Sequence, residues 1–262
     1  MQHAVNLEQK NKEYFKMQYG SISDIGNVRL HNDDCSSAVM NNDQQLLLIV
    51  CDGLGGYKGG ETASHIVLNN IVNQFQNTNF IGYDKNQIRK WFINVITSAQ
   101  KEIDACVLLE KESYNMGTTL VASIIINDKV YTINIGDSRA FLLKENCSLK
   151  ITKDHNLFEA LKERNEPDSL FEKYSSQLAA LTQFIGRTSN VLITYDIFEN
   201  TLENGDIILL SSDGFYNFID INDIYSKLTH KNFNTELTKL ISLALENGSN
   251  DNLSLAVYQH IG

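Results

Sequence analysis

Two apolar runs of strand length in this chain end in the same dipeptide: IVCDG closes at Gly53 and LSSDG closes at Gly214. A single Asp-Gly is usually a turn, for conformational reasons alone. Two of them at the ends of long, buried-type strands put Asp52 and Asp213 on strand tips, held by rigid elements. A fold for this chain must therefore bury those strands and still open their ends.

The first turn continues as DGLGGYKGGE, with five glycines among the eight residues after Asp52 and helix-like sequence from about Glu61. A glycine-rich turn between strand and helix is the setting of phosphate-binding loops. Neither known pattern fits. G-x-x-x-x-G-K-[ST] started at Gly55 puts Glu61 where a lysine must reach the phosphates, and G-x-G-x-x-G started at Gly53 puts Lys58 at the last glycine. The loop opens with an acid, so a cation is the better partner.

The rest of the chain narrows the class. Its 262 residues suffice for a substantial core, and 42% hydrophobic with 21% charged residues is ordinary for a globular protein. A net charge of −10 with no basic block argues against nucleic-acid or anionic-membrane surfaces. Cys35, Cys51, Cys106 and Cys147 are scattered and form no C-x-x-C, so they read as small buried hydrophobes in a reducing compartment. No signal-peptide core or membrane-length run occurs, which makes a cytoplasmic protein with no membrane association the expectation. Residues 1–15 read as a leader, and 16–262 as one domain.

Strand-like runs lie at 46–50, 118–126, 130–135, 140–144, 191–198, 206–211 and 253–259, several joined by short polar turns such as Asn127-Asp128. Helix-like segments cluster at 61–76, 86–112 and 221–247. In the second, Trp91, Val95, Ile96, Ala99 and Ile103 share one face, as core packing requires. Strands in meanders with helices in pairs predict an α+β fold: two packed antiparallel β-sheets flanked by helices on both outer faces, an α-β-β-α sandwich. Residues 152–188 are irregular and charged and read as a helical flap.

Further acids stand near strand ends: Asp33 and Asp34 in RLHNDD, Asp137 in IGDSR, and Asp251 in GSNDN. Carboxylates that converge cannot all stay ionised without a compensating cation. Oxygen donors, with no Cys or His set at zinc spacing, select hard ions such as Mg²⁺ or Mn²⁺. Two ions sharing a bridging carboxylate would hold and activate a water between them. Spacing alone does not bring these acids together.

The order of motifs does. SDIGNVRLHNDD (23–34), CDGLGGYKGGETAS (51–64), MGTTL (116–120), NIGDSRAFLL (134–143), ITKDHNLFEAL (151–161), LTQFIG (181–186), LLSSDGFYN (209–217) and GSNDNLSL (248–255) resemble the metal-dependent PPM protein serine/threonine phosphatases, the phosphatase 2C family, in their compact bacterial form. The match spans nearly all of the chain beyond residue 20. The resemblance implies hydrolysis of phosphoserine and phosphothreonine by direct attack of metal-bound hydroxide, with no phosphoenzyme. It implies two Mn²⁺ or Mg²⁺ ions, and a third in bacterial members.

By the same resemblance, Asp52 bridges both ions, the Gly53 carbonyl binds beside it, and Asp213 and Asp251 complete the ligands of the first ion. Asp34 orients metal-bound water, while Asp33 replaces a glutamate common in the family and reaches less far. Asp137 helps Asp213 to hold the third ion, Arg29 grips the substrate phosphate, and Asn252 steadies Asp251. The implied partners are phosphoproteins and a cognate serine/threonine kinase, with a monomer expected. Where many members carry a histidine in the glycine loop, this chain has Tyr57, a weaker acid near neutral pH. The proton for the leaving group is then expected from metal-bound water or from a histidine, His31 or His155. A silent phosphoprotein-binding module on the same fold is the competing class, and a small-molecule phosphoesterase a third. The presence of every matching acid and of Arg29 favours an active protein phosphatase.

Overall fold

All six side chains of the strand Leu46–Cys51 are buried. Leu47, Ile49 and Cys51 enter one hydrophobic layer, and Leu46, Leu48 and Val50 enter another. Successive side chains of a strand point to opposite faces, so a sheet covered on both sides needs apolar residues at every position. Ile207–Ser211 repeats the pattern: Ile207 and Leu209 face one layer, Ile208 and Leu210 the other.

The computed structural model describes residues 18–55, 59–109, 116–186, 194–228 and 233–261. One five-stranded antiparallel sheet has the order β1 (Gln18–Asp24), β13 (Leu253–Gln259), β12 (Ile207–Ser211), β8 (Arg139–Lys144) and β9 (Cys147–Lys150). The other has β11 (Asp196–Thr201), β7 (Lys129–Ile135), β6 (Leu120–Ile126), β3 (Leu46–Cys51) and β2 (Cys35–Met40). A small third sheet joins β10 (Ile185–Gly186), β5 (Gly117–Thr118) and β4 (Gly53–Leu54). Helices α1 (Gly59–Gln76) and α2 (Lys85–Leu109) cover the outer face of the second large sheet. Helices α5 (Asp213–Tyr216), α6 (Ile224–Leu228) and α7 (Phe233–Glu246) cover the outer face of the first. The inner faces meet around Leu48, Val121, Leu142, Leu210 and Ala256. This is the expected α-β-β-α order. No helix among the described residues is long and apolar enough to cross a membrane.

Between β9 and β10 the chain makes an excursion containing α3 (Leu157–Glu163) and α4 (Asp168–Lys173). Its base is stitched by the Leu157 N–H to the Ala180 carbonyl and the Thr182 N–H to the His155 carbonyl, both 2.9 Å. Its far end returns to the site through β10, where the Gln100 amide bonds both the N–H and the carbonyl of Gly186.

Several expectations need correcting. The run 118–126 is two strands, not one, because Thr119 leaves the ladder to bond Asp52 through its N–H, at 2.9 Å, and its Oγ1, at 3.0 Å. The described part of 221–247 is a 3₁₀ turn, Ile221–Asp223, with α6 and α7, and 229–232 lie outside the described residues. On α2 the fully buried aromatic is Phe92, while half-buried Trp91 packs against the same core, as expected, and its indole N–H reaches Thr78 Oγ1 at 3.1 Å. Cys147 lies exposed on edge strand β9, and Cys106 is half-buried, so only Cys35 and Cys51 are core residues. The leader 1–15, residues 110–112, 187–188 and 191–193, and Tyr57 lie outside the described residues.

Candidate metal centre

The acids singled out by the sequence come from strand ends at one edge of the sandwich. Asp52 follows β3, Asp213 opens α5 two residues after the end of β12, and Asp251 precedes β13. Asp34 precedes β2, and Asp137 lies in the turn between β7 and β8. Sheet pairing sets this convergence: β3 lies beside β2 and β6, and β12 lies between β13 and β8.

Local contacts then fix each group. The Asp52 carbonyl accepts from the Thr119 N–H at 2.9 Å and Thr118 Oγ1 at 3.0 Å. The Gly53 N–H donates to the Asp33 carbonyl at 3.1 Å. A Cβ on Gly53 would lie 2.4 Å from the carbonyl oxygens of both Asp33 and Gly60, and one on Gly214 would lie 2.0 Å from that of Asn252. Both halves of the Asp-Gly pair therefore need glycine for close backbone approach. Ser212 Oγ donates to Asp34 Oδ2 at 2.6 Å. Arg29 donates to Asp251 Oδ2 at 2.7 Å from a half-exposed side chain.

Two residues sit otherwise than the sequence suggested. The side chain of Asn252 does not touch Asp251. Its Nδ2 donates to the Ile25 and His31 carbonyls at 2.9 and 3.0 Å, and its Oδ1 accepts from the Asp33 N–H, so it pins both ends of the loop carrying Arg29. Only the Asn252 backbone N–H reaches Asp251, at 2.8 Å. Asp33 Oδ1 accepts from the Glu61 N–H at 3.2 Å, which caps the first turn of α1. His31 is exposed, and its carbonyl takes part in the Asn252 clamp.

Burial, and after it crowding, makes five of the acids hold their protons. Burial, then repulsion from Asp34, Asp213, Asp137 and Asp251, keeps Asp52 well above the usual carboxylate range. Burial pushes Asp34 up to about 7 against the Ser212 hydrogen bond, and repulsion from Asp213 and Asp251 adds to it. Burial, then Asp213 and Asp154, raises Asp137 to about 7. Asp213 is raised by burial and by Asp251, although it shares a hydrogen bond with Asp52. Burial also raises Asp33, against the Glu61 N–H.

Two carboxyl groups in hydrogen-bond contact keep a proton between them unless a cation replaces it. The donor set is all oxygen, which fits hard divalent ions. No three Asp, Glu, His or Cys side chains among the described residues close into a cage. That openness suits an ion that completes its shell with a backbone carbonyl and water, as Mg²⁺ and ions like it do.

Sequence reasoning missed the residues that hold the acids: Ser212, Thr118, Thr119, and the group around Asp137. Arg139 forks onto buried Asp154, with Nη2 2.7 Å from Oδ2, and lies 3.8 Å over the Tyr216 ring, while Tyr216 Oη donates to the Asp137 carbonyl at 3.1 Å. Their only signal was membership of the quoted motifs.

The sequence profile of the protein phosphatase 2C family matches residues 26–256. A protein of Mycoplasma genitalium is 36% identical over 244 residues, which cover 91% of this chain and 94% of that protein. Among solved structures, the S. agalactiae serine/threonine phosphatase superposes with a TM-score of 0.82 at 28% identity, covering 93% of this chain and all of the other. The catalytic domain of the serine/threonine protein phosphatase PstP, solved in complex with two manganese ions, superposes with a TM-score of 0.76 at 26% identity, covering 94% of this chain and 99% of that one.

Proposed function

The chain belongs to the protein phosphatase 2C family, and on that footing we propose that the acids at the tips of β3, β12 and β13 are its metal ligands and Arg29 its phosphate-binding group. The protein is a metal-dependent serine/threonine phosphatase that acts on phosphoproteins. The observation that carries the site assignment is the gathering of Asp34, Asp52, Asp137 and Asp213 beside Asp251 in a setting with only oxygen donors, where burial and then mutual repulsion raise the proton affinity of the first four.

In this reading Asp52, the Gly53 carbonyl, Asp213 and Asp251 would hold two ions, with Asp52 shared between them. Asp137 and Asp213 serve a third. Mn²⁺ and Mg²⁺ both meet the donor set, and the two manganese ions of PstP favour Mn²⁺. When bound, such cations supply the Lewis acidity that makes water a nucleophile near neutral pH and the positive charge that draws a phosphate dianion.

The protein's own groups do the rest. Asp34, fixed by Ser212 Oγ, orients the attacking water. Arg29 is bonded to Asp251 and exposed enough to exchange that partner for substrate; its planar fork suits two phosphate oxygens. The Asn252 clamp holds the Arg29 loop in place while that exchange occurs. Direct attack by water needs no nucleophilic side chain and leaves no phosphoenzyme. A serine/threonine kinase that makes the substrates is the expected functional partner.

The test is phosphate release from phosphoserine and phosphothreonine peptides in Mn²⁺, in Mg²⁺ and in EDTA, for the wild type and for Asp52→Asn and Asp213→Asn. Turnover should need the cation and fall at least about 100-fold in both variants. Variants that keep wild-type turnover while the wild type remains metal-dependent would refute these ligand assignments.

A further inference from the structure

His155 lies at the base of the excursion and takes no part in the acid cluster, yet it holds Gly136 through both of the peptide units that flank it. Its backbone N–H donates to the Gly136 carbonyl at 2.8 Å. Its ring Nδ1 accepts from the Gly136 N–H at 3.2 Å. A ring nitrogen that accepts carries no proton, so the proton is on Nε2, which faces Asp196 Oδ2 at 3.2 Å. Asp196 thereby sets the tautomer that the Gly136 contact requires.

Gly136 is the residue before Asp137, and its backbone is in the left-handed region with φ +104. That conformation has few intrinsic preferences to hold it. The surrounding contacts hold it instead. Asn134 Nδ2 bonds both the Gly136 carbonyl, at 3.1 Å, and the Lys153 carbonyl, at 2.7 Å, so it spans the turn and the excursion. The next residue of the excursion base, Asp154, takes the Arg139 fork, and Arg139 covers the ring of Tyr216, which bonds the Asp137 carbonyl. The Asp137 turn is thus fastened to residues 153–155 on one side and to α5 on the other.

We propose that His155 is a positioning residue: its Nδ1 fixes the Gly136 peptide, which fixes the direction of Asp137 and couples the excursion to that edge of the metal centre. The proposal rests on the assignment of Asp137 to the site made above.

The two amide side chains separate this role from a merely structural one. Asn places an acceptor near Nδ1 but cannot reach Asp196; Gln reaches toward Asp196 but offers no acceptor at the Nδ1 position. Purified full-length wild type, His155→Asn and His155→Gln are compared by amide hydrogen exchange of the segment holding Gly136 in EDTA, by Mn²⁺-binding calorimetry, and by kcat and KM on p-nitrophenyl phosphate. His155→Gln should speed Gly136 exchange about tenfold, weaken Mn²⁺ binding in the last step of the titration, and lower kcat about tenfold with KM within about twofold of wild type. His155→Asn should stay within about threefold of wild type in Gly136 exchange and in Mn²⁺ binding. Gln behaving as well as Asn, or both variants losing activity in step with melting temperature, would overturn the proposal. An Asp137→Asn enzyme with unchanged kcat and Mn²⁺ binding would instead overturn the assignment of Asp137, and the exchange result would still decide whether His155 clasps the turn.

Discussion

At the scale of single residues, the site depends on close backbone approach as much as on carboxylates. Gly53 lies against two carbonyl oxygens that a Cβ would meet at 2.4 Å. Neither oxygen belongs to a flexible side chain, so Gly53→Ala should cost about 2 kcal/mol or more of stability. It should also lower activity beyond that loss; urea unfolding and turnover of the folded enzyme measure the two separately. Asn252 offers a second case. Removing its side chain leaves the Arg29 loop without three hydrogen bonds, those to the Ile25 carbonyl, the His31 carbonyl and the Asp33 N–H. Asn252→Ala should therefore raise KM for a phosphopeptide by about tenfold and change kcat much less. A fall confined to kcat would mean that the residue acts on Asp251 after all. Asp52, Asp137 and Asp213 were readable in the sequence because each follows an apolar run, whereas Asp34 and Asp251 precede their strands and became readable through the order of motifs. Their supports were not, since a serine such as Ser212 or a threonine such as Thr119 has the same local appearance in a turn as at a metal site.

At the scale of elements, readability followed coverage. β3, β6, β7, β12 and β13 are sheltered on both faces and stand out as apolar runs. β1 and β2, with the sequences QYGSISD and CSSAVM, are edge strands of the two large sheets and went unread. An edge strand has one pairing partner and much solvent contact, so its composition approaches that of a loop. Helix α1 was placed to within two residues, because glycine punctuates strand and helix alike. Double coverage has an energetic consequence that can be measured on β12. Leu210 is fully buried in the layer between the sheets, one residue before the strand end that leads to Ser212 and Asp213. Leu210→Ala should cost about 2–4 kcal/mol and lower the melting temperature by roughly 10 °C. The kcat of the folded fraction should change much less, because the backbone pairing of β12 with β8 and β13 still carries Asp213 to its place. Loss of kcat equal to that of Asp213→Asn, with the melting temperature unchanged, would contradict this division.

At the scale of the whole molecule, the sandwich spends stability on its acid edge, and proton linkage gives the sign. Asp34 and Asp137 have folded pKa values raised from 3.8 to about 7, chiefly by burial, so the folded state binds their protons more tightly than the unfolded state does. The stability from that preference is complete below about 3.8 and is lost as pH rises through about 7. Asp52 and Asp213 are raised as well and act in the same direction. The protein in EDTA should therefore melt several degrees lower at pH 8 than at pH 5.5. A divalent ion reverses the trend, because it binds the deprotonated acids that the metal-free fold tolerates least. The rise in melting temperature on adding Mn²⁺ should be small at pH 5.5 and large at pH 8, and Asp52→Asn should shrink it at pH 8. Net charge of −10 adds a general repulsion that also grows with pH, and salt screens it. Repeating the scans in 0.1 and 0.5 M KCl separates the two contributions: salt should relieve the diffuse repulsion and leave the Mn²⁺ shift largely intact, since the acids that produce that shift are buried or half-buried and lie side by side. A melting temperature in EDTA that rises from pH 5.5 to pH 8, or an equal Mn²⁺ shift at both, would place the raised acids outside the cation's reach.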